Sequence, residues 1–234
     1  MVGRHSVKTS PSRRCELVAV IASRADLELA LNLSPPPGLF ELRLDHLSGL
    51  EDELEAQIAK LAAPLIITAR HPAEGGAHNL SSARRRDLLA RFSAHARYVD
   101  VELRSAEAFQ SLLNSAPTSN LRRIISLHDF ASTPSPRSLH AKARAAKSYG
   151  AAIFKVATRT DTPAQLARLF EFMGNEQVDL PVSVMGMGKL GEVARVALAQ
   201  CGSVLAYGSI STATLEGQPS LEQLRAAFQI LHIR

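Results

Sequence analysis

Lys155 lies in Ile153-Phe154-Lys155-Val156-Ala157-Thr158, an apolar, partly β-branched run with the composition of a buried parallel strand. Burial disfavours the ammonium form, so a lysine in such a run loses its proton more readily and becomes an amine able to attack a carbonyl as a Schiff-base nucleophile. By itself the run fits better a lysine at a strand end that reaches water or a carboxylate and does no chemistry, since long cationic side chains commonly snorkel out of apolar surroundings. His128 is the second candidate. It closes the run Arg122-Arg123-Ile124-Ile125-Ser126-Leu127, whereas His5, His46, His71, His78, His95, His140 and His232 fall in loops or on helices and read as surface residues. An imidazole at a strand end is suited to taking up and returning a proton near neutral pH. Three further apolar runs carry Glu41 with Arg43, Arg70 with Glu74 just beyond, and Asp100 with Glu102; Arg195, Thr214 and Gln218 follow the last two runs. The charged members read either as an ion-pair network or as substrate contacts, because buried charges need partners. Gly186-Met187-Gly188-Lys189-Leu190-Gly191 reads as a tight strand-to-helix turn, and its spacing is not that of a P-loop.

The elements that must position these residues repeat along the chain. Strand-like runs begin near Glu16, Leu39, Pro64, Arg97, Arg122, Ala152, Pro181 and Ser203, between 22 and 33 residues apart, which fits one strand, one helix and two loops per unit. Helical periodicity fills the intervals over Asp26 to Leu33, Glu51 to Ala63, Ser81 to His95, Ala106 to Asn114, Ser135 to Tyr149, Pro163 to Glu176, Lys189 to Gln200 and Leu221 to Leu231. Ser82 reads as preceding a helical run, and Asp161-Thr162-Pro163 offers a cap with Pro at the first helical position. Eight such units predict a single-domain α/β protein, a closed (β/α)₈ TIM barrel over residues 15–234, with a basic, loosely ordered segment over residues 1–14. An open doubly wound sheet would call for a Gly-rich first turn, and Ala22-Ser23-Arg24-Ala25 is not one. A barrel gathers the ends of its strands at one face, so each strand from the second to the eighth delivers a polar group to the same place.

Composition narrows the function classes. Apolar residues make up 46% of the 234, charged residues 21%, and no apolar run is long enough to span a bilayer, so no membrane segment is expected. Met1 to Arg14 lacks the apolar middle of a secretory signal, and Cys15 and Cys201 form neither a disulfide framework nor a metal-ligand cluster, which together predict a cytoplasmic protein without a metal site. The net charge of +5 raises nucleic acid as a partner, through Arg84-Arg85-Arg86 and Arg122-Arg123. Carboxylates lie near both clusters, there is no Trp, and aromatics are 5%, so a solvated face and no nucleic-acid partner are expected; surplus positive charge also serves to draw a small anionic substrate into a cleft.

Collected in order, these residues resemble type I 3-dehydroquinate dehydratase, the Schiff-base-forming enzyme of the shikimate pathway. The likeness runs from about Leu17 to Gln218. It is carried by Glu41-Leu42-Arg43-Leu44-Asp45, Thr68-Ala69-Arg70 with Glu74-Gly75-Gly76, Tyr98-Val99-Asp100-Val101-Glu102, Ser126-Leu127-His128-Asp129-Phe130 with Thr133-Pro134, Phe154-Lys155-Val156-Ala157, Met187-Gly188 with Gly191 and Arg195, and Gly217-Gln218. The chain departs from the family pattern at Ala194 and Thr214, where the family usually has Ser, and at Leu215-Glu216, where it usually has Ala-Pro. On the first strand Ala19 or a neighbour stands where the family often offers a Ser.

The resemblance implies a lyase that converts 3-dehydroquinate to 3-dehydroshikimate by syn elimination, with no metal or organic cofactor, and a homodimer. It assigns the imine to Lys155, acid/base work to His128, and the orientation and tuning of His128 to Glu74. Glu41, Arg43 and Arg70 would hold the ring hydroxyls, Arg195 the substrate carboxylate, and Thr214 and Gln218 would close over the substrate. Two readings from other classes stand beside it. A class I aldolase also places a Schiff-base lysine on the sixth strand of a barrel, and a basic barrel could bind nucleic acid through its arginines.

Overall fold

Strict alternation along eight short strands turns one set of side chains to a ring of helices and the other to a common axis. A computed structural model describes residues 14–114, 120–174, 179–213 and 215–233. Its strands are β1 (Glu16–Ile21), β2 (Leu39–Arg43), β3 (Leu65–Thr68), β4 (Tyr98–Glu102), β5 (Arg122–Asp129), β6 (Ile153–Arg159), β7 (Val182–Met187) and β8 (Leu205–Ser209). Helices α1 (Arg24–Leu31), α2 (Glu51–Ile58), α3 (Ser82–Phe92), α4 (Gln110–Asn114), α5 (Pro136–Ser148), α6 (Pro163–Met173), α7 (Gly191–Gln200) and α8 (Leu221–Ile230) follow them one by one. All eight strands begin within two residues of their expected starts. Among the described residues no helix is long and apolar enough to cross a membrane. Of the basic segment 1–14, all but Arg14 lies outside the described residues.

Neighbouring strands pair in parallel from β7 through β1 to β8, so the sheet curls until β7 meets β8. Two serines close that seam where a regular ladder is missing. Val204 N–H donates to Val182 O at 3.0 Å, Val184 N–H donates to Ser203 Oγ at 2.9 Å, and Ser183 Oγ donates to Leu205 O at 3.0 Å. The barrel is therefore nearly closed, with side-chain hydroxyls satisfying main-chain groups that a strand would otherwise satisfy.

The outward set, including Ile21, Phe40, Leu42, Ile67, Ile125, Phe154 and Val156, forms one apolar layer with the inner faces of the helices. The inward set is stratified. Val18, Leu39, Ile66, Tyr98, Ile124, Ile153 and Leu205 make an apolar floor at the start of the strands. One inward step further along stand Glu41, Thr68, Asp100, Ser126 and Lys155, all buried. Leu39, Ile66 and their neighbours thus seal one end, and the charged layer opens to the other.

Three details differ from the sequence reading. Ser81, not Ser82, caps α3, its hydroxyl accepting from Arg84 N–H. The fourth helix starts at Gln110 rather than Ala106, because the chain leaves β4 through a 3₁₀ turn (Leu103–Ser105) that tucks Ala106 and Phe109 into the core. Arg85 and His140 are buried rather than solvated. Arg85 lies on the same helical face as Leu88, Leu89 and Phe92, and its guanidinium meets Ala69 O at 2.8 Å, Glu102, and the Phe109 ring at 5.0 Å. His140 shares the inner face of α5 with Ala143 and rests on Phe172, centroids 4.9 Å apart. Arg84, Arg91 and Arg122 lie nearer the surface: Arg84 pairs with Glu51, Arg91 with Asp52 and Glu55, and Arg122 lies over Tyr98.

The seam yields a stability prediction. Ser203→Ala leaves the Val184 amide without its acceptor inside the barrel wall, a loss of about 1–3 kcal/mol. Urea unfolding is expected to show that loss, with faster hydrogen exchange at Val184.

Candidate active site

Alternation aims Lys155 at the axis, between Ile153 on the floor and Ala157 at the mouth. Nζ lies 2.9 Å from Asp100 Oδ2, 3.2 Å from Glu41 Oε1 and 4.0 Å from the centroid of the Tyr207 ring, and the residue is 3% exposed. Carboxylates from β2 and β4, and not only apolar neighbours, thus surround the lysine. Asp100 is shared, since its two oxygens also accept from the Arg70 Nη atoms at 3.0 and 2.9 Å. Burial alone would raise the Asp100 carboxyl, but the charges of Arg70 and Lys155 outweigh it and hold the group well below the ordinary carboxylate range. Arg70 reaches on to Glu102 at 3.1 Å and Ser126 at 2.6 Å, while Thr68 donates to Glu41 at 2.8 Å.

Across the mouth, Glu74 and His128 form a pair. Glu74 ends a 3₁₀ turn (Pro72–Glu74) that Gly75 closes with φ +82°, and a Cβ on Gly76 would lie 2.1 Å from Arg70 O, so this turn needs glycine in both places. The turn presents Glu74 to the end of β5. Oε2 accepts from the backbone N–H of His128 at 2.8 Å and lies 3.2 Å from its Nδ1. Burial pushes the Glu74 carboxyl up to about 7, against the lowering effects of the His128 amide and of the charges on Arg70 and Arg104. Burial, with Arg70 and Lys155 nearby, pushes His128 well below the ordinary imidazole range, so it is neutral at pH 7. With Glu74 ionised, Nδ1 carries the proton and Nε2 is left as a base.

Arg195 projects from α7 into the barrel. Its Nη1 contacts Tyr207 O and Met185 Sδ, each at 3.2 Å, and Nε has no partner. Among the described residues no carboxylate pairs with it, although burial lowers its pKa only to about 10, so it stays cationic. Arg43 is anchored instead, by two bonds to Asp45 at 3.0 and 2.8 Å and one to Gly75 O at 2.9 Å. Glu41, Arg43, Arg70, Glu74, His128, Lys155, Arg195 and Gln218 all line one cavity at the C-terminal ends of the strands. Thr214 lies outside the described residues. Tyr207, Met185, Phe130 and Leu215 line the same cavity and went unassigned from sequence. The available signal for Tyr207 was its inward position on β8, two residues beyond Leu205.

The family model described as type I 3-dehydroquinase matches residues 20–234. The chain belongs to the type I 3-dehydroquinase family. A 3-dehydroquinate dehydratase of Methanocella arvoryzae is 30% identical over 220 residues, covering 94% of this chain and 98% of that one. The chloroplastic bifunctional 3-dehydroquinate dehydratase/shikimate dehydrogenase of Arabidopsis thaliana is 29% identical over 231 residues, and the chain spans 38% of its length. In fold, the chain matches the crystal structure of type I 3-dehydroquinate dehydratase from Clostridium difficile with a TM-score of 0.83 at 23% identity, covering 94% and 93% of the two chains.

Against this dehydroquinase frame the departures fall mostly off the cavity. Ala194 is wholly buried between α7 and the wall, and a Cβ on Gly186 would lie 2.7 Å from it. Ala19 faces the helices, and Val20 is the β1 residue in the cavity. Glu216 turns aside to Arg159, 3.0 Å away, where its charge is countered.

The raised Glu74 carboxyl makes the folded chain hold a proton that the unfolded chain releases, so ionising Glu74 weakens folding as pH rises from the ordinary carboxylate range through about 7. Glu74→Gln is expected to raise Tm over the parent protein at about pH 8, with the gain shrinking toward about pH 5. Thermal melts at both pH values check it.

Proposed function

We propose that this dehydroquinase dehydrates 3-dehydroquinate to 3-dehydroshikimate through an imine on Lys155, with His128 as the acid/base group and Glu74 holding His128. The observation that carries the reading is a buried lysine amine facing one cavity with an oriented neutral imidazole and an arginine that no carboxylate of the described residues pairs. Lys155 attacks the ketone after passing a proton to Glu41, which lies in hydrogen-bond reach, and water leaves as the imine forms. The imine draws electrons from the adjacent carbon, whose proton passes to Nε2 of His128. In register, His128 stands opposite Ala157, one inward step and about 7 Å along the strands from Lys155. That offset leaves room for the carbon next to the imine between the two groups. The enamine then expels the neighbouring hydroxyl, His128 returns its proton to the departing oxygen, and water hydrolyses the imine to free the product and Lys155.

Recognition follows from charge. Arg195 offers the planar guanidinium that a substrate carboxylate takes. Glu41, Arg43 and Arg70 would hold ring hydroxyls, and Gln218, with Thr214 four positions before it in sequence, would cover the substrate.

Borohydride reduction in the presence of 3-dehydroquinate is expected to leave a covalent mass on the peptide containing Lys155, and Lys155→Met to lose both adduct and turnover while remaining folded. Residual turnover in that variant would end the imine route. For Arg195→Lys, which keeps the charge but loses the two-pronged contact, KM is expected to rise roughly 10- to 100-fold with a smaller change in kcat. A KM that stays put would remove Arg195 from carboxylate recognition.

A further inference from the structure

The Glu74 carboxylate has two sides, and the acid/base reading uses one. Oε2 faces His128; Oε1 lies 3.2 Å from Nε of Arg104, in the 3₁₀ turn that follows β4. Arg104 does not line the substrate cavity. Its side chain is 51% exposed and lines an outer groove with Leu103, Asp129 and Lys142 that shares Glu74, His128 and Phe130 with the cavity. We propose that Arg104 is a positioning residue for the acid/base pair: from outside the cavity its charge keeps Glu74 ionised, and through Glu74 it keeps the proton on Nδ1 of His128 and the lone pair on Nε2.

The charges that face Glu74 are few. Arg70 from the end of β3 and Glu102 from β4 approach from within the barrel, His128 from β5, and Arg104 from the outer turn, while Asp129 of β5 and Lys142 of α5 line the same outer groove. Arg70 is already committed to Asp100 and Glu102, and Glu102 opposes its effect at Glu74. Among the described residues Arg104 pairs with no other carboxylate. Burial leaves Glu74 poised close to neutral pH, so one added cation decides how much of it is ionised there. Because Arg104 is half exposed, its influence is modest and sensitive to salt.

The inference rests on the Glu74–His128 reading, and the test separates the two. Carboxyl ¹³C NMR follows Glu74, its signal identified by its loss in Glu74→Gln, while kcat is measured across pH for the parent protein, Arg104→Gln and Arg104→Lys. In Arg104→Gln the Glu74 midpoint is expected to rise by about half a pH unit, the acid limb of kcat to move by the same amount, and the rates to converge at alkaline pH. Arg104→Lys lies between, and salt near about 1 M moves the parent profile toward that of Arg104→Gln. A Glu74 midpoint that stays in place, or a loss of kcat by the same factor at every pH, overturns the proposal. A midpoint that moves while the kcat limb does not would support the Arg104–Glu74 coupling and overturn the acid/base assignment beneath it.

Discussion

Charge inside the barrel must be paired, and that requirement governs the rest of the structure. Lys155, Arg70, Arg85 and Arg43 are held by Glu41, Asp100, Glu102 and Asp45, four cations against four carboxylates. Breaking one buried pair leaves an uncompensated charge, at a cost of about 3–5 kcal/mol. The network spans β2, β3, β4, β6 and α3, so it also fixes how these elements sit relative to one another. Arg195 stands outside this balance, buried and cationic. Among the described residues no carboxylate answers it.

Lys155 is consequently not a lysine in oil. Two carboxylates and the Tyr207 ring face hold its ammonium in one place, and the apolar floor beneath keeps water from entering by the other end of the barrel. An amine fixed in this way needs little rearrangement before it reacts. Of the two carboxylates, Asp100 holds the charged form, and Glu41 is within hydrogen-bond reach of Nζ.

The Glu74–His128 pair follows a different rule. Glu74 comes from a turn rather than a strand, and the close approach of Gly76 to Arg70 O ties that turn to the end of β3. Its carboxyl is buried without the bidentate cation that Asp100 enjoys, which is why the two carboxylates, a short distance apart in the same barrel, are driven in opposite directions. One stays ionised at any ordinary pH and anchors the network. The other changes charge near neutrality and is suited to steering a histidine.

Local pattern determined much of this in the sequence. The regular spacing of apolar runs located all eight strands, and the polar residues within or just after those runs, Glu41, Arg43, Arg70, Glu74, Asp100, Glu102, His128 and Lys155 among them, read as a set that one face of a barrel collects. Arg85 and His140 were legible too, since each falls on the apolar stripe of its own helix, but their side chains read as polar and so as solvated. Other features were decided only by the fold. That Arg85 answers Glu102, that Tyr207 lies under Lys155, that Glu216 turns to Arg159, and that Arg104 reaches Glu74 are contacts between residues 17 to 57 positions apart in the chain. Strand period depends on neighbouring residues, whereas the partner of a buried charge depends on which elements the closed barrel brings side by side.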